Sequence, residues 1–310
     1  MRNACKKAVL SLLQRDRDVM LLAADGHDFE SGLPPGTERQ FVDFGIAEQC
    51  MIASAAGLVS CGKKPILFAV TNFMAFRAFE FIRDLACIPQ YPMIFIGFFS
   101  GLARGPWGIT HHGTEDLAIL RTLPNLTVIT PASPREAETA LHWAYKSDQA
   151  VYIRIEAGHE QEILPEDYVC APGQGTVLKK GDDAAIVAQG SILGEAIEAA
   201  KILSSEGIGV RVINMPTVRP LDEKLILDTA KETGCLLTLE EGTVYGGLGS
   251  AVAELLAERG IALRFARMGL RGFAYGCGTQ QDLREQYGLT AKHITNKIKK
   301  LLYLAEERES

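Results

Sequence analysis

Short apolar runs of β-forming residues alternate with helix-period segments almost from end to end, and this alternation restricts the fold more than any other feature. The β-rich runs are Val19–Ala24, Pro65–Val70, Pro92–Phe98, Leu126–Thr130 and Ala150–Ile155. Helical patterns lie between them at Ala47–Val59, Asn72–Ala86 and Pro134–Tyr145. The last has a clear start: Ser133 as cap, Pro134 at the first helical position and Glu136 to complete a capping box. Continuous apolar strands separated by helices call for parallel sheets covered on both faces. The expected class is α/β, with two doubly wound domains.

The alternation breaks once. Residues Gly158 to Gly175 are rich in Glu, Pro and Gly and lack periodicity, so they read as a linker. Beyond them the strands Ala184–Ala188, Val210–Asn214, Cys235–Leu239 and Leu263–Met268 alternate with helices at Leu193–Ser205, Asp222–Thr233 and Ser250–Arg259. A long amphipathic helix is expected from Thr290 to about Glu307. The expected division is a first domain over 1–160, a linker over 161–178 and a second domain over 179–310. A chain of 310 residues has room for two such cores.

Composition excludes several function classes. Lys plus Arg is 32 against 38 Asp plus Glu, a formal charge of −6 with no basic stripe, so nucleic acid is not an expected partner. No apolar run approaches the roughly 18 residues of a membrane span, and the N-terminal residues lack the pattern of a signal peptide. The seven cysteines are scattered, without C-x-x-C pairs or zinc spacing, which points to a reducing, cytoplasmic setting and no metal site. Cys50, Cys61 and Cys87 read as small core residues.

Four segments carry candidate chemistry. Asp43–Gln49 opens a helix and puts Glu48 near its N-terminus. Glu48 is there either an acid stabilised by the helix dipole or a carboxyl facing a cleft in apolar company. Phe73 and Phe76 follow the turn residues Thr71-Asn72, where a ring can face a ligand, whereas Phe79 reads as core. Gly101–Gly113 contains Arg104, Trp107, His111 and His112 after an apolar strand. Loops in that position carry ligands, and adjacent histidines in an extended segment cannot both face one site. Glu240–Ser250 invites a dinucleotide reading but lacks the full G-x-G-x-x-G, and reads better as a tight turn with close helix–strand packing.

Together with Leu123–Pro131, these segments resemble the C-terminal half of transketolases, a pair of domains shared with deoxyxylulose-phosphate synthases and the β subunits of 2-oxo-acid dehydrogenases. The resemblance implies a pyrimidine-binding domain for thiamine diphosphate, followed by a C-terminal domain that mainly supports assembly. It makes Glu48 the glutamate that hydrogen-bonds N1′ of the aminopyrimidine and promotes its 4′-imino form. Ile46 becomes the apolar prop under the cofactor, Phe73 the ring stacked on the pyrimidine and Phe76 a flanking aromatic. Asp25 matches an aspartate reaching the neighbouring active site, His111 a histidine near the reacting carbon, and Arg154 a substrate-phosphate arginine. Arg104 is a second candidate anion anchor.

The departures are also informative. Transketolases carry an Asp three residues before the Thr-His pair, where this chain has Trp107, and a second substrate histidine where the best alignment gives Phe99. No Gly-Asp-Gly occurs, so the Mg²⁺ and diphosphate ligands of thiamine enzymes are not supplied here. The resemblance thus implies one subunit of a split transketolase, moving a two-carbon ketol unit from a ketose to an aldehyde. The diphosphate and Mg²⁺ would be held by an N-terminal partner subunit, in an α2β2 assembly. The alternatives are a deoxyxylulose-phosphate-synthase-like or 2-oxo-acid-decarboxylating subunit, or a non-catalytic assembly subunit.

Overall fold

The structure is a computed structural model that describes residues 1–26, 29, 32–157 and 160–303. The first half runs α1 (Arg2–Arg15), β1 (Val19–Ala23), β2 (Phe41–Asp43), α2 (Glu48–Ser60), β3 (Lys64–Val70), α3 (Phe79–Ile82), β4 (Ile94–Phe98), α4 (Asp116–Leu120), β5 (Leu126–Ile129), α5 (Pro134–Tyr145) and β6 (Ala150–Arg154). The second half runs β7 (Thr176–Lys179), β8 (Ala184–Ala188), α6 (Leu193–Ser205), β9 (Val210–Asn214), β10 (Thr217–Arg219), α7 (Glu223–Thr233), β11 (Cys235–Thr243), α8 (Leu248–Glu258), β12 (Arg264–Leu270), α9 (Gln280–Gln286) and α10 (Ala291–Tyr303). The reading of the last helix beyond Tyr303, and of the linker at residues 158 and 159, falls outside the described residues.

Two sheets result, each sandwiched between helices. The first has the order β10-β5-β6-β4-β3-β1-β2 and is parallel except at β10. The second has the order β12-β11-β8-β9-β7 and is parallel except at β7. β3 shows why the strands read as unbroken apolar runs: Ile66 and Phe68 join the core on one face, while Leu67 and Ala69 join the core on the other. Each large side chain so buried contributes about 1.5–3 kcal/mol.

The antiparallel edge strand β10 belongs in sequence to the second half. It pairs with β5 through Thr217 and Ile129, and the Thr130 amide donates to the Pro216 carbonyl at 2.6 Å. Three residues are too few to show a period, so the sequence carries no sign of it. The linker is likewise bound to its surroundings. The Cys170 amide donates to Thr139 Oγ1 (3.0 Å), the Gly173 amide to Thr217 Oγ1 (2.9 Å), and the Tyr168 hydroxyl to Glu136.

Other sequence expectations need correction. The helix expected over Asn72–Ala86 is not continuous: π-helical turns at Phe73–Arg77 and Arg83–Cys87 flank the short α3. Widening the helix re-aims its side chains. Met74, Ala75, Ala78 and Ile82 go to the core, Phe79 packs against it, and Phe76 and Arg77 stay exposed. Half of the capping box at Ser133 forms, since Ser133 Oγ accepts from the Glu136 amide. The Glu136 carboxylate turns instead to the Ala132 amide (2.7 Å) and to Asn214 on β9 (2.8 Å), because a buried acid needs several donors. Cys87 is buried, but Cys50 and Cys61 are exposed, on α2 and at its end, and are not core residues. All seven cysteines are free.

Candidate active site

In the first sheet the strand order reverses beside β1, which has β2 on one side and β3 on the other. Loops leaving the carboxyl ends of such strands form a crevice. Asp43, closing β2, accepts from the Gly26 amide (2.9 Å) and the Gly45 amide (2.8 Å), and so fixes the turns after β1 and β2. Asp25 lies in the first of these turns with φ 57°, a left-handed conformation uncommon outside glycine. Ile46 lies in the second and is 73% exposed.

Glu48 is the first residue of α2, where the helix dipole favours an anion. It is only 2% exposed, and Arg77 Nη1 donates to its carboxylate at 2.7 Å. Its position fits the reading of an acid at a helix N-terminus, and its company is a cation rather than the apolar surroundings of the alternative reading. The Arg77 guanidinium also lies over the Phe73 ring, 4.7 Å from the centroid. The first π-helical turn makes this possible, by presenting Phe73, Phe76 and Arg77 together.

These residues form one wall of a cleft of about 850 Å³, with Asn72. Asn72 Nδ2 donates to the carbonyls of Thr110 and His112, both at 3.0 Å, and its buried Oδ1 has no hydrogen-bond partner. Thr110 and His112 form the second wall. The third is Phe273, Ala274 and Tyr275, from the loop after β12 in the second sheet.

The loop after β4 starts at Phe99, buried and held at φ 61°, and is closed where the Gly101 amide donates to the Gly113 carbonyl at 2.7 Å. Trp107 is 50% exposed under the Arg104 guanidinium, which sits 3.7 Å from its ring and 4.4 Å from that of Phe99. His111 stands edge-on to Trp107 (4.9 Å) and to Phe73 (5.4 Å). Partial burial, then the charge of Arg104, lowers its pKa, so the ring is neutral at pH 7. His112 is the structural member of the pair. It is buried, and its Nδ1 lies 2.9 Å from the Ala274 carbonyl, a partner that accepts only and so assigns the proton to Nδ1.

The C-terminal-domain model of transketolase matches residues 173–294, and the transketolase pyrimidine-binding-domain model matches residues 1–159. The chain belongs to the transketolase family. It is 34% identical over 258 residues to the B-type subunit of apulose-4-phosphate transketolase from Actinobacillus succinogenes, covering 83% of each chain. It is 37% identical over 300 residues to 1-deoxy-D-xylulose-5-phosphate synthase 1 of Geobacter metallireducens, and 37% over 300 residues to the synthase of Thermomicrobium roseum. It spans about half the length of these synthases, 47% and 46% respectively. Among solved structures it is similar to a split gene transketolase, described as an inactive β4 tetramer, with TM-score 0.90, 37% identity and 98% of each chain covered.

Transketolase-family membership implies dependence on thiamine diphosphate, and the residues fit its pyrimidine end. Phe73 and Asn72, whose buried Oδ1 is unpartnered, line the cleft, and Arg77 in the same wall holds the buried Glu48 carboxylate. Among the described residues, no group of three or more His, Cys, Asp or Glu could hold a metal ion. No helix of the described residues is long and apolar enough to cross a membrane.

Arg154 needs correction. It is 2% exposed, its Nε donates to Asp116 Oδ2 at 2.9 Å, and its Nη2 donates to the carbonyls of Gly113 (2.8 Å) and Glu241 (3.0 Å). A guanidinium so committed faces the interior and is a structural strut rather than an anion anchor in the cleft. Glu240 settles the Glu240–Ser250 segment: its carboxylate accepts from the Leu248 (2.9 Å) and Gly249 (2.8 Å) amides and caps α8. A Cβ on Gly249 would lie 2.7 Å from Thr238 Oγ1, so the glycine serves close helix–strand packing. Sequence reasoning missed Arg77, although its four-residue spacing from Phe73 was a usable signal. It also missed the second-domain wall, for which no local pattern exists.

Proposed function

We propose that this chain is the C-terminal subunit of a split, thiamine-diphosphate-dependent transketolase that transfers a two-carbon ketol unit from a ketose donor to an aldehyde acceptor. What carries the reading is the relative from Actinobacillus succinogenes, itself a transketolase subunit of comparable length, which matches over 83% of its extent. The pyrimidine half of the site, in Glu48, Phe73 and Asn72, supports it. The split-gene neighbour supports association with further chains, for which we take an α2β2 assembly with an N-terminal partner that carries the diphosphate and Mg²⁺ ligands. Seven free cysteines fit a reducing cytoplasm.

When bound, thiamine diphosphate supplies the electron sink for carbanion chemistry. The chain's own residues orient it and handle protons. Glu48 holds or shares a proton at the pyrimidine N1′, with Ile46 and Phe76 as apolar supports and Phe73 as the stacking ring. Asp25 reaches toward a neighbouring site. His111, neutral at pH 7, is available to accept a proton from a substrate hydroxyl. Phe99, Arg104 and Trp107 shape the substrate end, and Arg104 attracts an anionic group.

Reconstitution with the partner subunit tests the proposal: ketol transfer from a ketose to an aldehyde is the expected activity. The 37% identity to deoxyxylulose-phosphate synthases across 94% of the chain favours one alternative, a synthase-like subunit. Pyruvate-dependent release of CO₂ by the reconstituted enzyme, without ketol transfer, would establish that alternative instead.

A further inference from the structure

The expected role of the second domain is assembly, yet several of its groups hold the loop that carries Arg104, Trp107 and His111. Glu241, on β11, is buried and its Oε1 accepts from the Leu102 amide at 2.7 Å, at the entrance of that loop. Its other oxygen accepts from Arg284 Nε on α9. Gln280 Nε2, from the same helix, donates to Glu241 Oε1 and to Glu156 Oε2, both at 2.8 Å, and so ties β11 to the segment after β6. Gly101 has φ 60°, and a Cβ there would come within 2.6 Å of Glu241 Oε1. The loop approaches the carboxylate so closely that only glycine fits.

The exit of the loop is held the same way. His112 is tied to the Ala274 carbonyl, the Thr243 amide of β11 donates to the Thr114 carbonyl (2.7 Å), and Arg154 links the carbonyls of Gly113 and Glu241. Between these two anchors the loop residues Arg104, Trp107 and His111 contact one another, Phe99 and Phe73. The loop is also braced from within by the 3₁₀ turns Gly105–Trp107 and Ile109–His111 and by Asn72, so what the second domain sets is the placement of its two ends.

We infer that the second domain is a working part of the site: Glu241, held by Arg284 and Gln280, is a positioning residue that sets the geometry of the Trp107–His111 loop. The inference rests on the proposed assignment of that loop to substrate. Its first readout is independent of that assignment.

Trp107 is the reporter. The chain has two tryptophans, so Trp143→Phe leaves Trp107 as the only one. In that background, acrylamide quenching of the full chain is compared with and without Glu241→Ala, with circular dichroism to show that the fold persists. The expected result is a rise in the quenching constant of about twofold or more, since a buried N–H loses its charged acceptor and the loop opens locally. Glu241→Gln, which keeps an acceptor for Leu102, should restore most of the protection. If Glu241→Ala does not fold, Gln280→Ala loosens the same carboxylate and is expected to raise quenching in the same direction. An unchanged quenching constant in a folded Glu241→Ala or Gln280→Ala chain overturns the inference. In the reconstituted enzyme the same variants should raise KM more than they lower kcat. Raised quenching with unchanged KM would keep the positioning role and refute the assignment of the loop to substrate.

Discussion

The proposed chemistry rests on two residues, Glu48 and Trp107, and each makes a prediction. Glu48→Gln keeps the volume and one acceptor but cannot relay a proton, and general acid–base catalysis of this kind contributes about 10²–10⁴ in rate. Turnover in the reconstituted enzyme should fall by that order with the melting temperature little changed; steady-state kinetics with bound cofactor check it, and wild-type turnover would remove Glu48 from the mechanism. In the proposed site Trp107 would offer substrate only an N–H donor and an apolar face, where the resemblance to transketolases implies an acceptor. A donor sugar hydroxyl left unpaired there costs about 1–3 kcal/mol. Trp107→Asp should therefore shift the ratio of kcat/KM values toward more hydroxylated ketose phosphates; an unchanged ratio shows that the indole does not set specificity. Glu48 and Phe73 stand out in the sequence because their type and position carry a family pattern, and the structure sets both against Arg77. The partner of Glu48 was missed: the spacing of Arg77 from Phe73 ties it to that ring, but its bond to Glu48 is a contact between two distant segments, made from a π-helical turn that no propensity scale registers.

At the scale of elements, α5 and α8 show what buried capping acids do to stability. Glu136 bonds the Ala132 amide just before α5, and Glu240 caps α8; burial, offset in part by their donors, pushes both pKa values up to about 7 from an ordinary 4.5. An acid whose pKa is raised by folding binds its proton more tightly folded than unfolded. Between pH 4.5 and 7 the folded state holds the extra protons, so stability falls as pH rises through that window and levels off above it. The melting temperature of the chain is expected to fall from pH 5 to pH 7, and Glu136→Gln to flatten the slope. A slope unaltered by that substitution would contradict the assignment. Ser133, Pro134 and Glu136 announced α5 in the sequence, yet the carboxylate bonds Asn214 and Tyr168 from distant segments. Local pattern locates a helix start; the tertiary partners of its acid lie beyond local pattern.

The whole molecule was legible as two parallel-sheet units because buried strands and amphipathic helices impose different periods on the chain. Its joints were not legible. β10 crosses from one half to pair with the sheet of the other, and the third wall of the cleft comes from the loop after β12. Both depend on contacts between segments far apart in sequence. The same scale holds the central claim, that this chain carries the pyrimidine end of a thiamine site while a partner holds the diphosphate and Mg²⁺. Charge-assisted contacts to phosphate and metal supply much of the affinity for such a cofactor. Calorimetric titration with thiamine diphosphate and Mg²⁺, of the chain alone and of the chain with its partner, measures this directly. Binding is expected to be weak for the chain alone and to tighten by about two orders of magnitude or more, near 3 kcal/mol, when the partner is added. Tight, Mg²⁺-dependent binding by the chain alone would contradict the split site.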